Sequence, residues 1–225
     1  VNDKRRSSPL AEWVFTRIYR WKLWGRGESV SGPGSSLEVT EQLRAELPAL
    51  LRDHNVRTML DAPCGDCHWI KEVDLPVERY IGADIVRDLV TRNEETLGSD
   101  KHSFLHKNLL TDPLPEVDLI LCRDCLIHFS TPDIFVALKN FKSSGARYLL
   151  VTSHRGVKKN GPMVTGLWRR VNLEAAPFNF PPPLTTIAEP TPFKKDADKI
   201  LGLWRIEDIL PGGVPDSDEV AAAEA

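Results

Sequence analysis

Two strand-like apolar runs, Val56 to Leu60 and Tyr80 to Ala83, each end in an acid, Asp61 and Asp84. The first acid opens a tight turn, Asp61-Ala-Pro-Cys-Gly-Asp-Cys-His68. No other feature restricts the fold as much. Parallel strands with a glycine turn at the tip of the first and an acid at the tip of the second make a nucleoside-binding edge. The glycine lets a ligand reach the backbone. The carboxylate offers acceptors only, which suits the two hydroxyls of a ribose. The turn has Pro63 and a single glycine, Gly65, not the Gly-x-Gly-x-x-Gly that sets a helix N-terminus against pyrophosphate. A nucleoside without a diphosphate is expected, and a dinucleotide-dependent dehydrogenase is not.

The alternation continues downstream. Apolar runs predict strands over 57–61, 80–84, 103–107, 117–122, 147–152 and 200–206. Periodic segments predict helices over 10–24, 37–52, 68–73, 86–96 and 132–142, the last with Ser130 or Thr131 as cap and Pro132 in its first turn. Runs such as Leu119-Ile-Leu-Cys122 are apolar throughout, as in a parallel sheet covered on both faces. The expected class is α/β, a Rossmann-like doubly wound sheet. Residues 1–36 read as an N-terminal helix and a Gly/Ser-rich covering segment, and 37–210 as the main domain. Residues 155–198 read as an ordered insertion after the fifth strand, and 211–225 as a disordered acidic tail.

The chain of 225 residues has a net charge of −3, which argues against nucleic acid or an anionic membrane as main partner and leaves only a local basic patch as exception. It shows no run long enough to span a bilayer and no signal peptide, so a cytoplasmic setting is expected. Four cysteines form two CxxC pairs, Cys64/Cys67 and Cys122/Cys125. They lie 54 residues apart, against about 15–20 in paired zinc motifs. Reduced thiols beside buried strands are the simpler reading.

Taken together, the segment from Trp24-Gly through Glu28-Ser-Val-Ser-Gly to Ser35, the Asp61 turn with Trp69, Arg123-Asp124 with His128, and Pro177-Phe-Asn-Phe-Pro181 with Glu189 resemble the class I S-adenosylmethionine-dependent methyltransferases. The likeness covers roughly residues 10–210. It implies seven strands, six parallel and one antiparallel near the edge, with the cofactor across the C-terminal ends of the first strands. On that resemblance Asp61 orients the methionine ammonium, Pro63 and Gly65 shape the loop, Asp84 takes the ribose hydroxyls, and Asn108 and Leu109 meet the adenine. Trp24, Ser31 and Gly32 would cover the cofactor, and Arg123 would face cofactor or substrate. The implied activity is O-methylation of a carbohydrate hydroxyl, at its narrowest the 1-OH of a 3-O-methylated mannoside. An N- or O-methyltransferase of another small metabolite and a non-catalytic cofactor-binding protein are the alternatives. The expected partner is a small-molecule or oligosaccharide substrate, with no nucleic acid and no membrane; a homodimer is an allowed assembly.

A sugar hydroxyl has a high pKa and needs a general base or a metal to become a nucleophile. Asp124, two residues past the fourth strand, and His154, just past the fifth, are the expected catalytic pair. They would hold Mg²⁺ or Mn²⁺ if a divalent ion is used; otherwise His154 acts as base with Asp124 orienting it. His128, Trp168, Arg169, Asn172 and Glu189 are the candidate substrate contacts, with Asn179 beside them. For His128, packing and capping is the competing reading. For the Trp13/Trp21/Trp24 cluster, core packing competes with a substrate cage.

Overall fold

The computed structural model describes residues 8–25, 27–189, 197–210 and 213. Seven strands form one sheet: β1 (Thr58–Asp61), β2 (Arg79–Asp84), β3 (His102–His106), β4 (Leu119–Cys122), β5 (Tyr148–His154), β6 (Thr185–Ala188) and β7 (Lys199–Arg205). Their order is β3-β2-β1-β4-β5-β7-β6. β1 to β5 pair in parallel, and β7 runs antiparallel to both β5 and β6. This is the expected arrangement of six parallel strands and one antiparallel strand near the edge.

Side chains alternate across the sheet and build two apolar layers. Leu60, Ile81, Ile120 and Leu149 face α4 (Thr131–Ser143), which contributes Ile134, Phe135, Leu138 and Phe141. Met59, Leu119, Leu121 and Leu150 face the layer built by α2 (Glu41–Asp53) and α3 (Arg87–Leu97), with Leu43, Leu47, Leu51 and Val90. Ser130 starts α4 as expected, its side chain accepting the Asp133 amide. α1 (Ser8–Arg20) docks on the first layer through Ala11 and Phe15. Among the described residues no helix is long and apolar enough to cross a membrane.

Four expectations need correction. The helix expected over 68–73 is a single 3₁₀ turn, Ile70–Glu72, too short for an apolar stripe. The fifth strand runs two residues further, to His154, because it stays paired with β7 as far as Lys199. The stretch expected as an insertion contains β6, a short and partly exposed edge strand after three prolines, with little sequence signal. Trp13 and Trp21 are not core residues: they are 52% and 61% exposed. The expected tail, 211–225, lies outside the described residues except for Gly213.

Candidate functional site

A cavity of 380 Å³ lies where the chain leaves β1, β2, β3 and β4, the C-terminal edge at which open α/β sheets take ligands. Its first half is walled by Asp61, Pro63, Gly65, Asp84, Asn108 and Leu109. Asp84, buried at the tip of β2, accepts the Gly65 amide at 3.0 Å and the Val86 amide at 2.8 Å. Burial nevertheless pushes its carboxyl up to about 6. Asp61 accepts the Tyr80 hydroxyl at 2.8 Å, and burial pushes it up to about 7. Two acids raised in this way form a cavity wall whose burial cost is only partly offset, by Arg123 at Asp61 and by His106 at Asp84. A ligand with a sulfonium, an ammonium and two ribose hydroxyls fits that wall; added phosphates would oppose it. Asn108 reaches the cavity, with its Oδ1 accepting the Leu110 amide at 2.9 Å.

The opposite wall comes from the N-terminal segment. Trp24, Ser31, Gly32 and Gly34 line the cavity. The segment is pinned by Asp66, which accepts the Ser29 hydroxyl at 2.8 Å and the Val30 amide at 3.0 Å. Gly65 has φ +55, and a Cβ there would stand 2.2 Å from the Ser31 hydroxyl. The turn and the covering segment therefore touch at a point where only glycine fits.

The second half is charged. Arg123 donates through Nε to Glu189 at 2.5 Å and through its outer nitrogen to the Gly34 carbonyl at 2.7 Å. Asp124 sits in the left-handed region at φ +51, a sparsely used conformation typical of functional turns. Lys199 Nζ lies 2.7 Å and 2.8 Å from its two oxygens and 3.4 Å from Glu189. Burial opposes the Asp124 charge, but Lys199 and Arg123 outweigh it and hold the carboxyl well below the usual range. The chain topology explains the cluster. Arg123 and Asp124 follow β4, His154 ends β5 and Glu189 follows β6, while antiparallel β7 brings its first residue, Lys199, to the same edge opposite His154.

Both imidazoles, His128 and His154, line the cavity. Burial lowers the pKa of each, and Lys199 lowers both further. The rings are therefore neutral near pH 7. His128 Nδ1 donates to the Leu167 carbonyl at 2.8 Å, which fixes the tautomer and leaves Nε2 as the proton acceptor. Its ring stacks on Trp24 at 4.5 Å. His154 is only 1% exposed, and its Nδ1 is buried without a hydrogen-bond partner among the described residues.

Several expected roles change. Among the described residues, the hydrogen bonds of Asp124 run to Lys199 and Thr152, and none orients His154. The donor set also does not fit a divalent ion, because the Lys199 ammonium already takes both Asp124 oxygens. Of the candidate substrate contacts, His128 and Trp168 line the cavity, whereas Arg169, Asn172 and Glu189 do not. Arg169 binds the Gly161 and Phe129 carbonyls and the Thr131 hydroxyl, which ties the insertion to the start of α4. Asn172 donates to the Val157 carbonyl at 2.8 Å and accepts the Glu174 amide. Glu189, 2% exposed, supports Arg123 from behind. Asn179 is an exposed turn residue that donates to the Pro177 carbonyl. Sequence reading missed Lys199, which lies one residue before the expected strand, and the clamp at Asp66. An acid next to the turn glycine was the available signal for the second.

No protein-family model and no curated protein matches the sequence. Solved structures do match in fold. Magnesium protoporphyrin IX methyltransferase (ChlM) from Synechocystis PCC 6803 with bound SAM is 15% identical, with a TM-score of 0.58 over 91% of this chain and 99% of that one. The N-methyltransferase NodS from Bradyrhizobium japonicum WM9 is 14% identical, with a TM-score of 0.56 over 75% and 96%. The 1,6-didemethyltoxoflavin-N1-methyltransferase of Burkholderia thailandensis with bound 1,6-didemethyltoxoflavin and S-adenosylhomocysteine is 15% identical, with a TM-score of 0.56 over 91% of each chain. At such identities the likeness is one of architecture: the chain has the Rossmann-like class I methyltransferase fold.

Proposed function

We propose that this chain is an S-adenosylmethionine-dependent O-methyltransferase of a small polar acceptor, with a carbohydrate hydroxyl as the acceptor class. The observation that carries the reading is the undercompensated pair Asp61 and Asp84 in one wall of a cavity whose other half holds two neutral imidazoles. When bound, the cofactor supplies an electrophilic methyl on a sulfonium. Asp84 would hold the ribose hydroxyls, Asp61 would face the cationic end, and Trp24 with Ser31 would cover the site.

A hydroxyl acceptor calls for a base, and His128 suits the part better than the expected His154. Its tautomer is set by the Leu167 carbonyl, it is less deeply buried than His154, and its depressed pKa keeps it neutral. Support for a sugar is chemical. Trp24 and Trp168 offer aromatic faces, and Asp124, Lys199 and Arg123 offer charged partners for several hydroxyls.

The test is methyl transfer by the purified chain to a panel of mannosides, including 3-O-methylated ones with a free 1-OH, other glycosides, phenols and amines. Transfer to a glycoside that His128→Ala abolishes is the expected result. Transfer confined to amines, unaffected by that substitution, would sink the hydroxyl reading. Cofactor binding without turnover on any acceptor would sink the enzyme reading.

A further inference from the structure

Nine large apolar side chains are exposed among the described residues. Seven of them fall on two short segments: Leu10, Trp13, Trp21 and Leu23 near the N-terminus, and Val164, Leu167 and Trp168 in the loop after β5. The two segments touch. A Cβ on Gly166 would stand 2.5 Å from Val14 of α1. On α1, Ala11, Phe15 and Ile18 face inward. Leu10, Trp13 and Arg17 lie at i, i+3 and i+7 on the outer stripe, and Trp21 continues it. The Arg17 guanidinium lies 3.9 Å from the Trp13 ring centroid and 5.1 Å from that of Trp21.

The described face of α1 and the turn after it is mainly basic: Arg17, Arg20 and Lys22 against Glu12. Residues 4–26 hold seven basic side chains and one acidic, in a chain whose net charge is −3. Arg17, Arg20 and Lys22 are exposed. The one acid, Glu12, is turned to His106 at 3.4 Å, and the only acid set against these basic groups among the described residues is Asp88, 3.6 Å from Arg20. Exposed tryptophans and leucines ringed by arginine and lysine make an interfacial surface: the rings enter the headgroup boundary and the long basic chains reach anionic phosphates. Nucleic acid would match the charge but would leave Leu10, Leu23, Val164 and Leu167 in water.

We infer that this face, α1 with the loop 164–168, docks on an anionic lipid bilayer. Trp168 belongs both to the patch and to the cavity wall, so the docked chain sets its cavity mouth against the bilayer. The whole-chain charge, which argued against a membrane, averages away a local surplus. The inference does not depend on the proposed reaction.

The test is flotation of the full chain with vesicles of phosphatidylcholine alone or mixed with phosphatidylglycerol. Binding is expected only with the anionic lipid, with a blue-shifted tryptophan emission and loss of binding in high salt. Trp13→Ala/Trp21→Ala and, separately, Arg17→Glu/Arg20→Glu should each weaken it by about tenfold or more. Cofactor binding by the same samples should stay at the wild-type level, which separates this result from the enzyme reading. No flotation with either lipid, or undiminished flotation of both variants, would overturn the inference. A lipid-free dimer that Trp13→Ala/Trp21→Ala dissolves would assign the face to a second copy and overturn it as well.

Discussion

The two halves of the cavity are built in opposite ways. At the tips of β1 and β2, Asp61 and Asp84 are satisfied by short-range partners, and burial leaves both carboxyls raised. At the tips of β4 to β7, Arg123, Asp124, Glu189 and Lys199 neutralise one another, and Asp124 is held low. One half waits for charge from a ligand, and the other has already settled its own. A half of the first kind selects a cationic ligand through its field; one of the second kind keeps a fixed polar lattice against which an acceptor can be oriented.

The largest expected effect tests whether the base belongs to the second half. His128→Ala should lower kcat about 10²–10⁴-fold and leave the cofactor Kd unchanged, while His154→Gln should cost much less. Equal losses would return the base to His154. Next comes Lys199→Met. It leaves Asp124 and Glu189 with Arg123 as their remaining cation, and should destabilise the fold by about 3 kcal/mol in denaturant titrations. Adding Asp124→Asn should restore much of that loss. Failure of the double variant to recover would mean that the halves are not separately neutral.

Asp84→Ala should weaken S-adenosylmethionine binding about 100-fold by calorimetry, because two charge-assisted hydrogen bonds are lost. In the unsubstituted chain affinity should be full only above about pH 7 and fall as pH drops, first as the Asp61 carboxyl raised to about 7 takes a proton and then more steeply as the Asp84 carboxyl raised to about 6 does. A flat profile between pH 7.5 and 5 would show that the ribose is held by something else.

The same contrast explains what the sequence made legible. Asp84 reaches Gly65 across 19 positions and Val86 across two, so a local turn and two strand tips define that half. The charged half joins Arg123 to Glu189 across 66 positions, Asp124 to Lys199 across 75 and Arg123 to Gly34 across 89. No local pattern marks such pairs. Lys199 was harder still to find, because strand tips are sought at strand ends and an antiparallel strand offers its beginning. The sheet itself was readable, since Leu119 to Cys122 and Leu149 to Val151 are apolar throughout. The exposed tryptophans were misread because a helical apolar stripe carries no mark of which side meets the core.

The smallest effect is the sharpest test of the waiting charge. Asp61 titrates near 7 in the folded chain because burial disfavours its ionised form, while an unfolded aspartate titrates near 4. The folded state therefore binds the extra proton, and this group costs stability in full above pH 7, a cost that fades as pH falls from 7 to the unfolded value near 4. Asp61→Asn keeps an acceptor for the Tyr80 hydroxyl and removes the charge. It should stabilise the ligand-free chain by roughly 1–3 kcal/mol at pH 8, by less at pH 5 and by little below about pH 4. Both histidines are common to the two proteins, so their own loss of stability on acidification, from burial that keeps them neutral, cancels in the difference. Saturating S-adenosylmethionine should reverse the order at pH 8, because the cation then pairs with Asp61. If Asp61→Asn is less stable at pH 8 without ligand, the first half is already neutral and the contrast between the halves fails.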